Sequence, residues 1–325
     1  VSNVVLAQHD NFVMSIETTD ATPTEALLKY AAMPDWHVIV SGDLKTPHEL
    51  YENIDNVTYL TPEYQESEYP VLSELIGWRC IQRRNFAILE AYRQGADIIA
   101  IIDDDNIPYE GWGEDLMVDK PTEVNLFDIK DIAFDPIGAL NEHRELWHRG
   151  FPMERVPFRD YSNKSKASIT PKVQAVFWDG EPDVDAVCRM IYNPYCNFGA
   201  DQFPISGNKP APFNSQNTII SRSIVRDYFL FPHIGRMDDI WAAYYIQSKG
   251  NKVVFSKPGV LSDRSLGTAG RYSMVEDMKR EYIGMENNME LLADLAKDPN
   301  SIKQYLPERS IEAFEEWQKI IDKLN

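Results

Sequence analysis

Residues 98–102, Ile-Ile-Ala-Ile-Ile, are apolar on both faces and run directly into Asp103, Asp104 and Asp105. A strand without a polar face belongs in the middle of a sheet covered by helices. Ahead of it, Ile81, Ile88, Leu89 and Tyr92 recur at helical spacing between Trp78 and Tyr92, and Gly95 is placed to end that helix. Two further apolar runs end in polar residues. Val4 to Ala7 leads into Gln8-His9-Asp10, and His37 to Val40 leads into Ser41-Gly42-Asp43. Strand, helix and strand in this order predict an α/β fold with a mostly parallel sheet flanked by helices, whose ligands bind beyond the carboxyl ends of the strands.

At 325 residues, with 43% apolar and 26% charged residues, the chain has ordinary globular composition and ample material for a core. Its 32 basic against 51 acidic residues leave a formal charge of −19, which disfavours nucleic acid and acidic membranes as partners and favours a divalent cation. A basic groove around Arg79, Arg83 and Arg84 is the one feature that could override this for nucleic acid. Cys80, Cys188 and Cys196 lack zinc-site or disulfide-framework spacing, so a reducing compartment is the simplest reading, with a Cys188–Cys196 bridge left open. No run of 18 uncharged apolar residues predicts a membrane span, and the chain as given reads as cytoplasmic. Since it begins at Val1, an anchor or targeting segment ahead of it stays open.

From about Pro121 to Pro212 the periodicity is weak, and the residues predict long loops and short elements that shape an acceptor site. Lys252 to Phe255 reads as a short strand. A helical tail follows, with one core stripe of Met285, Met289, Leu292 and Ala296 and another of Ile311, Phe314, Trp317, Ile321 and Leu324, separated near Pro299 and Pro307.

Three groups of residues carry chemistry. Three aspartates after a buried strand repel one another where water is scarce, and hard oxygen ligands suit Mg²⁺ or Mn²⁺, so the context favours a cation over a solvated acidic turn. Such an ion bridging a diphosphate would neutralise charge on a departing nucleotide. Asp238 and Asp239 begin an apolar helical pattern containing Ile240, Trp241, Ala243 and Tyr244. They serve there either as dipole-stabilised first-turn residues or as a base or hydroxyl-orienting carboxylate. Arg149, held between His148 and Gly150-Phe151-Pro152, is an arginine that could bind diphosphate or carboxylate in bidentate fashion.

Six blocks in order resemble the reversibly glycosylated polypeptide family, which includes the UDP-arabinopyranose mutases, and the related STELLO-type glycosyltransferases. They are Ile102-Asp103-Asp104-Asp105, Phe134-Asp135-Pro136, Arg149-Gly150-Phe151-Pro152, the set Trp178, Pro182, Asp183, Asp185 and Ala186, the set Pro212, Asn217 and Arg222, and Gly235-Arg236-x-Asp238-Asp239-x-Trp241-Ala242. The likeness covers roughly residues 98 to 245.

The resemblance implies a GT-A-like fold, assigned to a catalytic domain over residues 1–270, with Mn²⁺ or Mg²⁺ and a UDP-sugar donor; the helical C-terminal extension over 271–325 is read from its apolar stripes and has no counterpart in the family. By the same analogy Asp103 contacts the ribose side, Asp105 ligates metal, and Asp104 does either. Asp103 and Asp263 would complete the metal set, Asp263 standing where the mutases have histidine, and Arg264 stands where they have lysine. Arg149 matches the arginine of self-glycosylation, Arg236 and Arg264 join the donor contacts, and Asn106 replaces an expected cysteine. Gln8, Asp43 and Lys45, at the ends of the first two strands, are candidates for the nucleotide base by position.

The leading expectation is therefore sugar transfer from a nucleotide-sugar donor, with Asp238, Asp239 and Arg149 as catalytic residues. A UDP-sugar pyranose/furanose mutase and a non-catalytic nucleotide-sugar binding module are the alternatives. The acceptor stays open among glycan, protein, lipid and modified nucleobase.

Overall fold

A computed structural model describes residues 3–7 and 12–18 as backbone, and residues 22–262 and 274–325 in full apart from the Asn141 side chain. The first half of the chain contains β1 (Asn3–Ala7), β2 (Phe12–Thr18), α1 (Glu25–Ala31), β3 (His37–Gly42), β4 (Val57–Leu60), α2 (Pro62–Glu68), α3 (Pro70–Ile76), α4 (Arg84–Arg93), β5 (Ile98–Asp103), β6 (Asn106–Pro108) and β7 (Thr122–Phe127). The second half contains β8 (Lys164–Ile169), β9 (Val173–Gly180), α5 (Ala186–Tyr192), β10 (Ile205–Gly207), β11 (Asn217–Ser221), α6 (Asp238–Ser248), β12 (Val253–Ser262), α7 (Met274–Leu295) and α8 (Glu308–Leu324).

The described strands form one sheet in the order β4-β3-β1-β2-β5-β11-β9-β12-β10-β7-β8, with β6 paired to β12 and with β1 and β2 each in register with both β3 and β5. The fold is α/β, as the strand-helix-strand order predicts. The sheet, however, is mixed rather than mostly parallel. Parallel pairs join β2, β3 and β4, whereas β11 runs antiparallel to both β5 and β9, and β7 and β8 form an antiparallel pair. Part of the reason lies at the start of the chain, where β1 runs antiparallel to β2, β3 and β5, and part in its middle. Val173 to Gly180, almost wholly buried, makes β9 a strand of the sheet interior where weak periodicity predicted loops. A strand buried on both faces shows no alternation for a periodicity argument to detect.

The strand of residues 98–102 sits as expected. Ile98 to Ile102 are buried, and β11 pairs with the strand from Ile98 to Ile102. The helix before it begins at Arg84, after a 3₁₀ turn over Ile81–Arg83, rather than near Trp78. Every residue from Arg84 to Tyr92 is buried, so it is a core helix rather than an amphipathic one. Gly95 closes it at φ +86°, donating to the Tyr92 carbonyl at 3.0 Å.

The two tail helices form as predicted, but the buried face of α7 lies one residue away from the apolar stripe. It carries Asp277, Glu281, Gly284 and Asn288 before Leu291, Leu292 and Leu295. Polar residues can occupy a buried helix face only where partners await them. Here Asn288 receives the Trp241 indole N–H at 2.8 Å and donates to the Gly150 carbonyl at 2.9 Å. Helix α8 packs Phe314 and Trp317 onto Phe229 and Phe231, and the Trp317 indole donates to the Val225 carbonyl at 3.0 Å. The core is continuous from β5 to α8. Cys80, Cys188 and Cys196 are free thiols. No described helix is long and apolar enough to cross a membrane.

Candidate active site

The sheet, α6 and α7 enclose a cavity of about 360 Å³ lined by Asp103, Asp105, Arg149, Asp183, Arg236, Asp238 and Asp239, among others. Residues far apart in sequence thus meet in one place, at the end of β5 where its ligand site was expected.

Asp103 and Asp105 line the cavity and Asp104 does not. β5 ends at Asp103, and the turn made by Asp104 and Asp105 before β6 brings the first and third carboxylates to the same cavity. Asp104 is buried, and its carbonyl accepts the Thr24 hydroxyl at 2.7 Å. Burial, and behind it the like charges of Asp105 and Asp104, push the Asp103 carboxyl up to about 8 against the pull of Arg84. Arg84 meets Asp103 at 3.0 Å and also holds the Ser215 carbonyl at 2.8 Å. Asn106 donates to Asp105 at 2.7 Å and accepts from Gln216 at 3.0 Å. The residue standing where the family has cysteine therefore orients an aspartate of the cavity.

The opposite wall is the start of α6. Its two aspartates differ sharply. Asp239 accepts from Arg149 at 3.0 and 3.1 Å and from the Ser215 N–H and hydroxyl, both at 3.0 Å. Burial pushes Asp239 up, but the Arg149 charge and hydrogen bonds outweigh it and hold the carboxyl below its ordinary value. Asp238 accepts from Gln82 at 2.7 Å, and burial together with the Asp239 charge pushes it upward. Two neighbouring carboxylates driven apart in this way suit different tasks, one fixed as an anion and one poised to exchange a proton.

Arg149 lies between Asp183 and Asp239. Its Nε and Nη2 donate to Asp183 at 2.9 and 2.8 Å, Nη1 and Nη2 donate to Asp239, and Nη1 also meets the Arg236 carbonyl. All five N–H groups of the guanidinium are thereby engaged by the protein. Gly150 beside it has φ +87°, and a Cβ there would stand 2.3 Å from Ile240, so α6 approaches the arginine turn closely because the residue is glycine.

Arg236 extends the network into the C-terminal helices. Its Nε donates to Glu281 at 2.8 Å, and its Nη2 lies 3.5 Å from Asp183. Glu281 also accepts the Ala186 N–H at 2.8 Å. Helix α7 is thus part of the cavity wall, contributing Arg280 to the lining itself.

The remaining sequence candidates fall elsewhere. Asp43 is buried, accepts the Leu44 N–H at 2.6 Å and leaves Oδ2 without a partner among the described residues; neither it nor the exposed Lys45 lines the cavity. Gln8, Asp263 and Arg264 lie outside the described residues. β1, which precedes Gln8, runs antiparallel to β5 and brings Asn3 rather than Ala7 beside Asp103. β12, which precedes Asp263, brings Ser262 into register with Asn106. Among the described residues no group of three or more His, Cys, Asp or Glu is arranged to hold a metal ion.

Of the three arginines that could have made a basic groove, Arg83 and Arg84 are buried and only Arg79 is exposed. Arg83 donates to Gln65 and Ser73 and stacks 3.5 Å from the Trp78 ring centroid. Sequence reasoning in turn gave no role to Gln82, Asp183, Asn214, Ser215 and Gln216, and gave Arg84 only a place in a basic groove, yet all six are in the lining. Asp183 had a signal, since it belongs to one of the family-like blocks. The others stand in no recognisable pattern.

No protein-family model matches this chain, and a search of curated proteins gives no match to it.

Proposed function

We propose that this chain is a metal-dependent glycosyltransferase that takes a sugar from a nucleotide-sugar donor, a UDP-sugar by the family resemblance, on a GT-A-like arrangement of the sheet. The observation that supports this most is that Asp103 and Asp105 share one cavity with Asp238, a carboxylate pushed towards neutrality, although six strands, β6 to β11, separate the two groups in sequence.

The residues present fit Mn²⁺ or Mg²⁺. Such ions need only one or two protein carboxylates when phosphate oxygens complete the shell, and the cavity offers Asp103 and Asp105 on one side, the second oriented by Asn106. Burial raises the Asp103 carboxyl most, and the smaller like-charge contribution of Asp105 and Asp104 is one that a divalent cation would relieve. Bound there with a diphosphate, the ion would supply Lewis-acid stabilisation of the leaving nucleotide.

Asp238 takes the part of base or hydroxyl-orienting carboxylate at the sugar, with Gln82 fixing one of its oxygens. Asp239 is a positioning residue, which Arg149 and Ser215 hold still. Arg149 in turn acts through Asp183 and Asp239, joining the loop before α5 to the start of α6.

The test is a thermal-shift screen of UDP, GDP and dTDP with and without Mn²⁺, followed by assay of donor consumption. A metal-dependent shift for one nucleotide and release of that nucleotide from its sugar conjugate are expected. Absence of both for all three would refute the proposal, and isomer exchange without UDP release would replace it by the mutase reading.

A further inference from the structure

The cavity lining contains five arginines, Arg79, Arg84, Arg149, Arg236 and Arg280, against five aspartates. In a chain of 32 basic and 51 acidic residues this is a local concentration of positive charge. Three of the five are engaged within the protein. Arg84 holds Asp103, Arg149 holds Asp183 and Asp239, and Arg236 holds Glu281. Arg79 and Arg280 differ. Both are exposed at the cavity, and neither has a hydrogen bond or ion pair among the described residues.

Both are nevertheless mounted on fixed backbone. Arg79 has φ +59°, a left-handed conformation that costs a non-glycine residue about 1 kcal/mol. It follows Trp78, whose ring stacks on buried Arg83 and whose indole donates to Glu66 at 3.2 Å. On the other side, Gly235 approaches α7 so closely that a Cβ there would stand 2.1 Å from the Arg280 carbonyl oxygen. The next residue, Glu281, is tied to Arg236 and to the Ala186 N–H. Each arginine thus has an anchored main chain, which lowers the ordering cost of binding an anion, and a head without an ion pair to the described residues, although Arg280 is near enough to Glu276 on α7 to help lower its carboxyl.

We infer that Arg79 and Arg280 together grip a phosphoryl group of the ligand at the cavity mouth, so that the C-terminal extension contributes directly to substrate binding. This builds on the donor-site reading. The five arginines balance the five aspartates of the lining, and a divalent cation at Asp103 and Asp105 would leave net positive charge for a diphosphate to meet.

Titration calorimetry of the full chain with Mg²⁺ tests this using UDP, inorganic pyrophosphate and glycerol 3-phosphate as probes, for wild type, Arg79→Gln, Arg280→Gln and the double variant. Thermal unfolding checks that the exposed substitutions leave the fold intact. UDP and pyrophosphate weakened about tenfold by each substitution would support the inference and identify the donor diphosphate as the gripped group. Loss confined to glycerol 3-phosphate would support the grip but assign it to a second, phosphorylated ligand. Unchanged binding of all three probes, or none in the wild type, would overturn it. Wild-type turnover of a UDP-sugar with unaltered KM in both variants would sink the arginine pair while sparing the transferase reading. Arginine-dependent pyrophosphate binding without donor consumption would do the reverse.

Discussion

Replacing Arg149 by methionine, which keeps much of the side chain's length and apolar stem, would leave Asp183 and Asp239 facing each other across a buried gap. The side chains of the arginine and of Asp239 are each 7% exposed and that of Asp183 is 2% exposed, so water cannot take over the lost hydrogen bonds. Removing one partner of a buried ion pair costs about 3–5 kcal/mol, because the partner is left charged and unpaired. Two carboxylates are orphaned here, which pushes the value up. Asn214 and Arg236 still reach Asp183, and Ser215 still reaches Asp239, which holds it within the same range of about 3–5 kcal/mol.

The pH dependence follows from the sign of the shifts. In the wild type burial raises both carboxyls, but Arg149 outweighs it and holds them below the ordinary value. A depressed carboxyl contributes stability above its unfolded pKa, about 3.9 for aspartate, and loses it as pH falls through the folded pKa. In Arg149→Met that contribution disappears and the orphaned groups titrate upward instead. The stability gap between wild type and variant should be widest near neutrality and narrow towards about pH 4. Urea unfolding followed by tryptophan fluorescence measures it directly. A triple variant that also carries Asp183→Asn and Asp239→Asn should recover much of the loss. A gap below about 1 kcal/mol at neutral pH, the worth of an exposed pair, or a gap independent of pH, would refute the assignment of Arg149 as a buried clamp.

Asp238→Asn should lower turnover by about 10²–10⁴-fold if Asp238 is the proton-exchanging group, measured as nucleotide release. Because burial and the Asp239 charge raise the Asp238 carboxyl, ionising it costs the wild-type fold stability as pH rises, so the melting temperature of the variant minus that of wild type should be larger above neutrality than at pH 4. Asp105→Asn should abolish the Mn²⁺ dependence of UDP affinity in calorimetry with little change in melting temperature, and an unaltered metal response would remove Asp105 from the proposed ligands. Gly235→Ala should destabilise by about 1–3 kcal/mol, since φ is +62° and the Cβ meets the Arg280 carbonyl; a variant of wild-type stability in thermal unfolding would show that α7 yields there.

Much of the architecture was legible in the residues themselves. An all-apolar pentapeptide rich in β-branched residues belongs in a sheet interior, so Ile98 to Ile102 alone place Asp103 to Asp105 at a strand end. Helix α6, with its aspartates in the first turn, and the centre of the α8 stripe at Phe314, Trp317 and Ile321 followed equally from local pattern, whereas Ile311 is half-buried and Leu324 exposed at the helix end. Other features depend on what a residue faces across the fold, and no window of neighbouring sequence contains that. The sheet is mixed because β1 and β11 run antiparallel to the strands beside them, a pairing decided across the fold. The polar face of α7 became the buried one because Arg236 and Trp241 supply partners for Glu281 and Asn288. Asp238 and Asp239 are identical letters side by side, and only the arrival of Arg149 at one of them makes one a fixed anion and leaves the other free to change its charge.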